Sequence, residues 1–266
     1  MATPTVLSIA GSDPSGGAGI QADLKTASAL GAYGMAVITA LTAQNTQTVA
    51  GVSEVPADFV ALQIDTIFAD ITPDAVKTGM LANAEIIDVV AAKAAEHSFR
   101  NLVVDTVMVA KSGDRLLRQD AVQAMREKLV PLAHVLTPNL PEAEDLVGRK
   151  LRTDEDIREA ARELAAMGAR NVVIKGGHRE GDTVTDVLFD GKAFHDFSGP
   201  RIETTSTHGT GCTFASAIAT FLARGESVRD AVGHAKEYLT EALRRAYPIG
   251  GGHGPVHHFW AQWDER

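Results

Sequence analysis

The order of apolar runs constrains this chain most. Short segments rich in β-branched residues, at 5–10, 35–40, 75–78, 102–105, 134–137 and 172–175, alternate with longer stretches of helical spacing at 20–30, 58–69, 84–96, 120–129 and 154–167. That order is the pattern of parallel strands joined by crossover helices. The strands are continuously apolar, as strands covered on both faces are. The expectation is an α/β fold with six parallel strands and helices against both faces of the sheet. Segments 183–189 and 193–197 flank Asp190-Gly191 and predict an antiparallel hairpin. Helices at 211–224 and 228–246, separated by Gly225, follow it. No linker divides the 266 residues, so one domain over 1–266 is expected.

A net charge of -9 and a pI near 5.5 disfavour a nucleic-acid or anionic-membrane partner, both of which need a basic footprint. Any phosphate site must therefore be built locally. The single cysteine cannot form an internal disulfide. No apolar segment has membrane length, and the start, Met1 to Pro4, lacks the basic region of a signal peptide. A cytoplasmic location is the expectation.

In open parallel sheets, ligands bind beyond the carboxyl ends of the strands. The residues placed there are the loop Gly11 to Gly19, Gln44, Asp105 and Val107, Asn139 to Glu142, and Lys175. The loop Gly11-Ser12-Asp13-Pro14-Ser15-Gly16-Gly17-Ala18-Gly19 permits close backbone approach to a ligand. No Gly-Lys-Ser/Thr follows it, so it is not a P-loop. Gly17 to Ala22 match a dinucleotide fingerprint, but residues 38–43 supply no ribose-binding acid.

His208-Gly209-Thr210-Gly211-Cys212 is more informative, because it opens a helix whose first amides point at an anion. The positive end of that helix favours thiolate, which would lower the Cys212 pKa; the alternative is a small thiol packed as a hydrophobe. Asn139-Leu140-Pro141-Glu142 places an amide and a carboxylate either at magnesium-bound phosphate or in a helix capping box. Lys175, before Gly176-Gly177-His178, is either a point charge for phosphate or a solvated strand end. His253, His257 and His258 lack a helix to hold ligand spacing, and Phe259, Trp260 and Trp263 are expected to dock the tail on the body.

Together the 11–19 loop, Asn139-x-x-Glu142, Lys175-Gly-Gly-His178, His208-Gly-Thr-Gly-Cys212 and the closing Gly252-His253-Gly254-Pro255 resemble the hydroxymethylpyrimidine/phosphomethylpyrimidine kinases of thiamine biosynthesis. Those enzymes lie within the ribokinase-like superfamily. The resemblance spans essentially the whole chain. It implies a three-layer α/β/α fold with a mostly parallel sheet and no large separate lid domain, ATP as co-substrate, Mg2+, and a homodimer. It further implies that Gly209 and Gly211 form an anion hole and that Cys212 stands at the position of the catalytic base. Lys175, Thr210 and Lys236 then meet the nucleotide, and Asp105, Asn139 and Glu142 organise magnesium. Gly11, Ala18, Asp23, Gln44, Met80 and Val107 line the pocket for a small pyrimidine.

The side chains suit that assignment. Gln44 offers a donor and an acceptor to an aminopyrimidine edge, and Asp23 an acceptor for its amino group or hydroxymethyl. Met80 and Val107 are either ring contacts or ordinary core. The implied reaction is in-line transfer to the hydroxymethyl oxygen, then a second transfer onto the monophosphate. A pyridoxal kinase is the nearest rival, ahead of a dinucleotide oxidoreductase or a non-catalytic binding protein. Loops 110–118 and 178–182 are candidate flaps over the substrate.

Overall fold

The computed structural model describes residues 3–108, 119–178 and 181–263. Among these residues, nine strands form one sheet: β1 (Thr5–Ser12), β2 (Tyr33–Gln44), β3 (Val49–Glu54), β4 (Ala75–Thr78), β5 (Val103–Val104), β6 (Val135–Leu136), β7 (Val172–Ile174), β8 (Thr183–Phe189) and β9 (Phe194–Pro200). Their spatial order is β3-β2-β1-β4-β5-β6-β7-β8-β9. The expected parallel strands, β2-β1-β4-β5-β6-β7, form its centre, in register through Leu7↔Met35, Leu7↔Val76, Thr78↔Val104 and Val104↔Leu136. The hairpin around Asp190-Gly191 is β8 and β9; the Asp190 carboxylate accepts the Lys192 and Ala193 amides, and Gly191 takes φ 85°.

Helices cover both faces. They are α1 (Gly19–Ala29), α2 (Ala57–Phe68), α3 (Ala84–Glu96), α4 (Gln119–Ala124), α5 (Leu140–Val147), α6 (Asp154–Ala166), α7 (Thr210–Ala223) and α8 (Val228–Arg244). Successive strand side chains point to opposite faces, which divides the core in two. Leu7, Val76, Val104 and Leu136 pack with α2, α3, α5 and α6. Val6, Val103, Val135 and Val173 pack with α1, α7 and α8. Each fully buried aliphatic side chain contributes about 1.5–3 kcal/mol, which is why these strands carry hardly a polar residue.

Two features differ from expectation. β2 runs on to Gln44 and pairs antiparallel with β3, whose residues are exposed and so carry no continuous apolar signal. The helix expected over 120–129 gives way after Ala124 to a π turn at Met125–Leu129, then a 3-10 turn at Val130–Leu132 holding Pro131, which lacks an amide to extend the ladder. Residues 110–118, and 179 and 180 of the second candidate flap, lie outside the described residues.

One charged residue interrupts the apolar strands. Lys77 of β4 is fully buried, its Nζ 3.0 and 2.9 Å from the two carboxylate oxygens of Asp23 on α1. Ser8 on β1 and Ser216 on α7 donate to the same carboxylate at 2.5 and 2.6 Å. This cluster ties α1 and α7 to the sheet on one face, so that both helices begin at the carboxyl edge of the strands.

Candidate active site

The strand ends converge on one cleft of about 590 Å³. At its centre, Asp105 follows β5 and Lys175 follows β7; β6 lies between, and across it Lys175 Nζ reaches Asp105 Oδ1 at 2.9 Å. Asp105 is 1% exposed, and its Oδ2 has no hydrogen-bond partner among the described residues. Burial opposes the charge on Lys175, but Asp105 and Glu142 outweigh it and raise its pKa. Lys175 is therefore an ammonium held inside the cleft, not a solvated strand end.

Asn139 caps α5, its side chain accepting the Glu142 amide at 2.9 Å while Glu142 Oε2 accepts the Asn139 amide at 2.8 Å. Thr106 Oγ1 donates to the same Glu142 oxygen at 2.9 Å. The capping box is thus real, and it is built in the wall of the cleft: both residues line it. Burial pushes the Glu142 carboxyl upward against the opposing pull of Lys175.

Opposite stands the start of α7. Gly209 takes φ 76°, and a Cβ there would lie 1.8 Å from the Gly17 carbonyl oxygen, so no other residue fits. A Cβ on Gly211 would meet Lys175 Nζ at 3.6 Å and Asp105 Oδ2 at 3.8 Å. The α7 amides, an ammonium and an unpartnered carboxylate oxygen therefore face one space. Thr210 lines it too, its hydroxyl donated to the Thr207 carbonyl at 3.2 Å. A helix start and a lysine suit phosphate, while a partnerless carboxylate oxygen beside the buried Glu142 suits a hard cation.

Cys212 is half-buried on the same wall. Here the expectation from the helix dipole fails in sign. Burial pushes the thiol up to about 11; Lys77 and the Gly19 amide pull it down, Asp23 and Asp105 push it further up, and burial prevails.

The cleft extends from this centre in two directions. One end is lined by Gly11, Ala18, Gln44, Met80 and Val107. Thr42 Oγ1 donates to Gln44 Oε1 at 3.1 Å. Asp23, expected in this pocket, lies behind its wall, 3% exposed and held by Lys77, Ser8 and Ser216. At the other end are Val184, Ile202, Leu239 and Leu243, with Lys236 bound to Asp186 Oδ2 at 2.8 Å. Asp186 Oδ1 accepts the Gly176 amide at 2.8 Å and so anchors the turn after Lys175.

The closing segment frames the loop that opens α7. Gly254 O accepts the His208 amide at 2.9 Å, His253 donates its amide to Thr46 O at 2.8 Å, and His258 is buried against Thr213. Trp260 packs on the α7 and α8 side of the core, while Trp263 stays 54% exposed, stacked on Phe259.

Sequence reasoning gave no role to Asp13, Lys77 or Asp186. For Lys77 a signal was present, because a lysine inside an apolar strand requires a buried partner.

A glycine-opened helix start over the buried Lys175–Asp105 pair, on a parallel sheet covered on both faces, is an arrangement suited to phosphoryl transfer, and the fold is that of the ribokinase-like phosphotransferases. A family model described as phosphomethylpyrimidine kinase matches residues 13–257. The chain belongs to that family. The thiamine biosynthesis bifunctional protein ThiED of Geobacter sulfurreducens is 56% identical over 262 residues, covering 98% of this chain and 54% of that protein. The chain thus spans about half the length of that relative. The hydroxymethylpyrimidine/phosphomethylpyrimidine kinase of Salmonella typhimurium is 50% identical over 260 residues, covering 97% of this chain and 98% of that one. Among solved structures, an ADP complex of Bacillus subtilis pyridoxal kinase superposes with a TM-score of 0.90 at 39% identity, covering 98% and 99% of the two chains.

Proposed function

We propose that this chain transfers the γ-phosphoryl group of ATP to the hydroxymethyl oxygen of 4-amino-5-hydroxymethyl-2-methylpyrimidine, and then phosphorylates the monophosphate. The observation that carries the reading is the meeting of the α7 start, Lys175 and the unpartnered Asp105 Oδ2 in one cleft. Family membership supports the substrate and the second step.

Phosphoryl transfer asks little covalent work of a protein, so positioning and charge neutralisation carry the rate. Lys175 and the amides of Gly209 to Cys212 stabilise the transferring group. Asp105 and Glu142 hold magnesium, with Asn139 fixing Glu142; the ion supplies charge neutralisation of the nucleotide phosphates. Thr210 and Lys236 serve the nucleotide, whose base suits the apolar end formed by Val184, Ile202, Leu239 and Leu243. Gln44 reads the aminopyrimidine edge, with Met80 and Val107 against the ring and Gly11 and Ala18 leaving room for it. Cys212 is at rest a neutral thiol, so it contributes less as a base than these charges do.

The one kinase unit over 1–266 is supported by the single continuous sheet. A homodimer fits the exposed Leu41, Val52, Phe59 and Leu62 on β2, β3 and α2. No helix among the described residues is long and apolar enough to cross a membrane, which is compatible with a cytoplasmic enzyme. Pyridoxal phosphorylation is the second reading, favoured by the likeness to the Bacillus subtilis pyridoxal kinase. The test is to incubate the protein with ATP, magnesium and the free pyrimidine and resolve the products over time. Monophosphate followed by diphosphate is expected; monophosphate alone contradicts the second step, and no phosphorylated pyrimidine contradicts the reading.

A further inference from the structure

The two loops that face each other across the reaction space come from distant parts of the chain and meet at one carboxylate. Asp13 is 2% exposed. Its Oδ1 accepts the Ser15 amide at 2.9 Å and the Ser15 hydroxyl at 2.7 Å. Its Oδ2 gathers the Gly17 amide at 3.2 Å, the Ala18 amide at 2.8 Å and His208 Nε2 at 2.8 Å. A carboxylate that receives this many donors is held ionised, so His208 Nε2 is the donor. Burial opposes the Asp13 charge, but the bonds from His208 and Ser15 outweigh it and leave the carboxyl below its usual range.

The contact has no slack. A Cβ on Gly17 would lie 2.3 Å from His208 Cδ2, and one on Gly209 would lie 1.8 Å from Gly17 O. His208 is itself 6% exposed and is held from behind by Gly254 O. On one side of the bond, Ala18 lines the acceptor end of the cleft; on the other, His208 leads directly into Gly209 to Cys212. The bond therefore joins the surface that holds the acceptor to the amides that hold the phosphoryl group.

We infer that Asp13 and His208 are a positioning pair for phosphoryl transfer: their bond fixes the α7 start against the acceptor loop and so holds the hydroxyl in line with the phosphoryl group. The inference rests on the kinase reading above. In-line attack needs the reacting atoms about 3–3.5 Å apart, and a misplacement of about 1 Å costs on the order of 10²-fold in rate. A clasp that served stability alone would leave turnover by the folded protein unchanged.

The experiment compares the full chain with its His208→Leu, His208→Gln and Asp13→Asn variants, in steady-state turnover of the pyrimidine with ATP and in thermal unfolding. Glutamine keeps a donor toward Asp13 and leucine does not. His208→Leu is expected to lose about 10²-fold in kcat with both KM values within about 3-fold, and His208→Gln to recover at least about 10-fold of that loss. Asp13→Asn keeps the shape of the side chain and carries the same kcat prediction if His208→Leu does not fold. The double variant Asp13→Asn/His208→Leu is expected to be no worse than the more impaired single variant. Unchanged kcat in folded variants, a loss confined to KM, equal impairment of the leucine and glutamine variants, or additive losses in the double variant would each overturn the inference. A wild type inactive on both the pyrimidine and pyridoxal would overturn the kinase reading instead. If the wild type uses only pyridoxal, the same comparison is made on that substrate and the same outcomes decide.

Discussion

Lys175 Nζ lies 2.9 Å from Asp105 Oδ1, while Asp105 Oδ2, equally buried, has no partner among the described residues. A carboxylate half satisfied by a lysine and half bare is costly to bury. At the centre of the cleft and facing the α7 start, the bare oxygen is the contact proposed above for magnesium.

Asp105→Asn tests that contact. The amide preserves size but removes the charge, so half-maximal activity is expected to require at least about 10-fold more magnesium, with a lower kcat. A magnesium titration of turnover checks this. An unchanged magnesium requirement would remove Asp105 from the metal site.

Cys212 gives a prediction in pH. Its folded pKa, about 11, lies above the ordinary 9.0, so the fold holds the proton more tightly than the unfolded chain does. The stabilisation from this shift is present below about pH 9 and is lost as pH rises through about 11. Because this is the only cysteine, iodoacetamide labelling reports on it alone. Labelling of the ligand-free protein is expected to be slow at pH 7 and to rise with a midpoint near 11. A midpoint below 8 would contradict the account. Since the thiol is neutral near pH 7, Cys212→Ala is expected to cost about 10²-fold or less in kcat, the low end for a general base.

Lys77→Met should unfold the protein more readily than any change on the cleft wall. It leaves Asp23 buried with only Ser8 and Ser216, a loss of about 3–5 kcal/mol. Lys77→Met/Asp23→Leu, which removes both charges, is expected to recover most of it. Urea unfolding measures both. A single variant within about 1 kcal/mol of wild type would show that the pair is not structural.

How much of this was legible in the sequence follows from where the information sits. The inner strands of the parallel centre could be read because they are buried on both faces, which forces runs such as Val103-Val104 to be apolar throughout. β3 could not, because its residues are exposed and its pairing with β2 is made by backbone atoms. Gly209 at the α7 start was legible because positive φ and close approach to the Gly17 carbonyl demand glycine. Asp23 was misplaced because nothing local distinguishes a carboxylate that faces a ligand from one that faces Lys77, which is 54 residues away. The Cys212 shift was misjudged because the helix start is visible in sequence and burial is not. The Asp13–His208 bond joins residues 195 apart and leaves no periodic trace at all.

The central claim, that the cleft is built to phosphorylate the hydroxymethylpyrimidine, is tested most directly by measuring kcat/KM for that substrate and for pyridoxal on one preparation with ATP and magnesium. The higher value is expected for the pyrimidine. A higher value for pyridoxal, or no turnover of the pyrimidine, would contradict it.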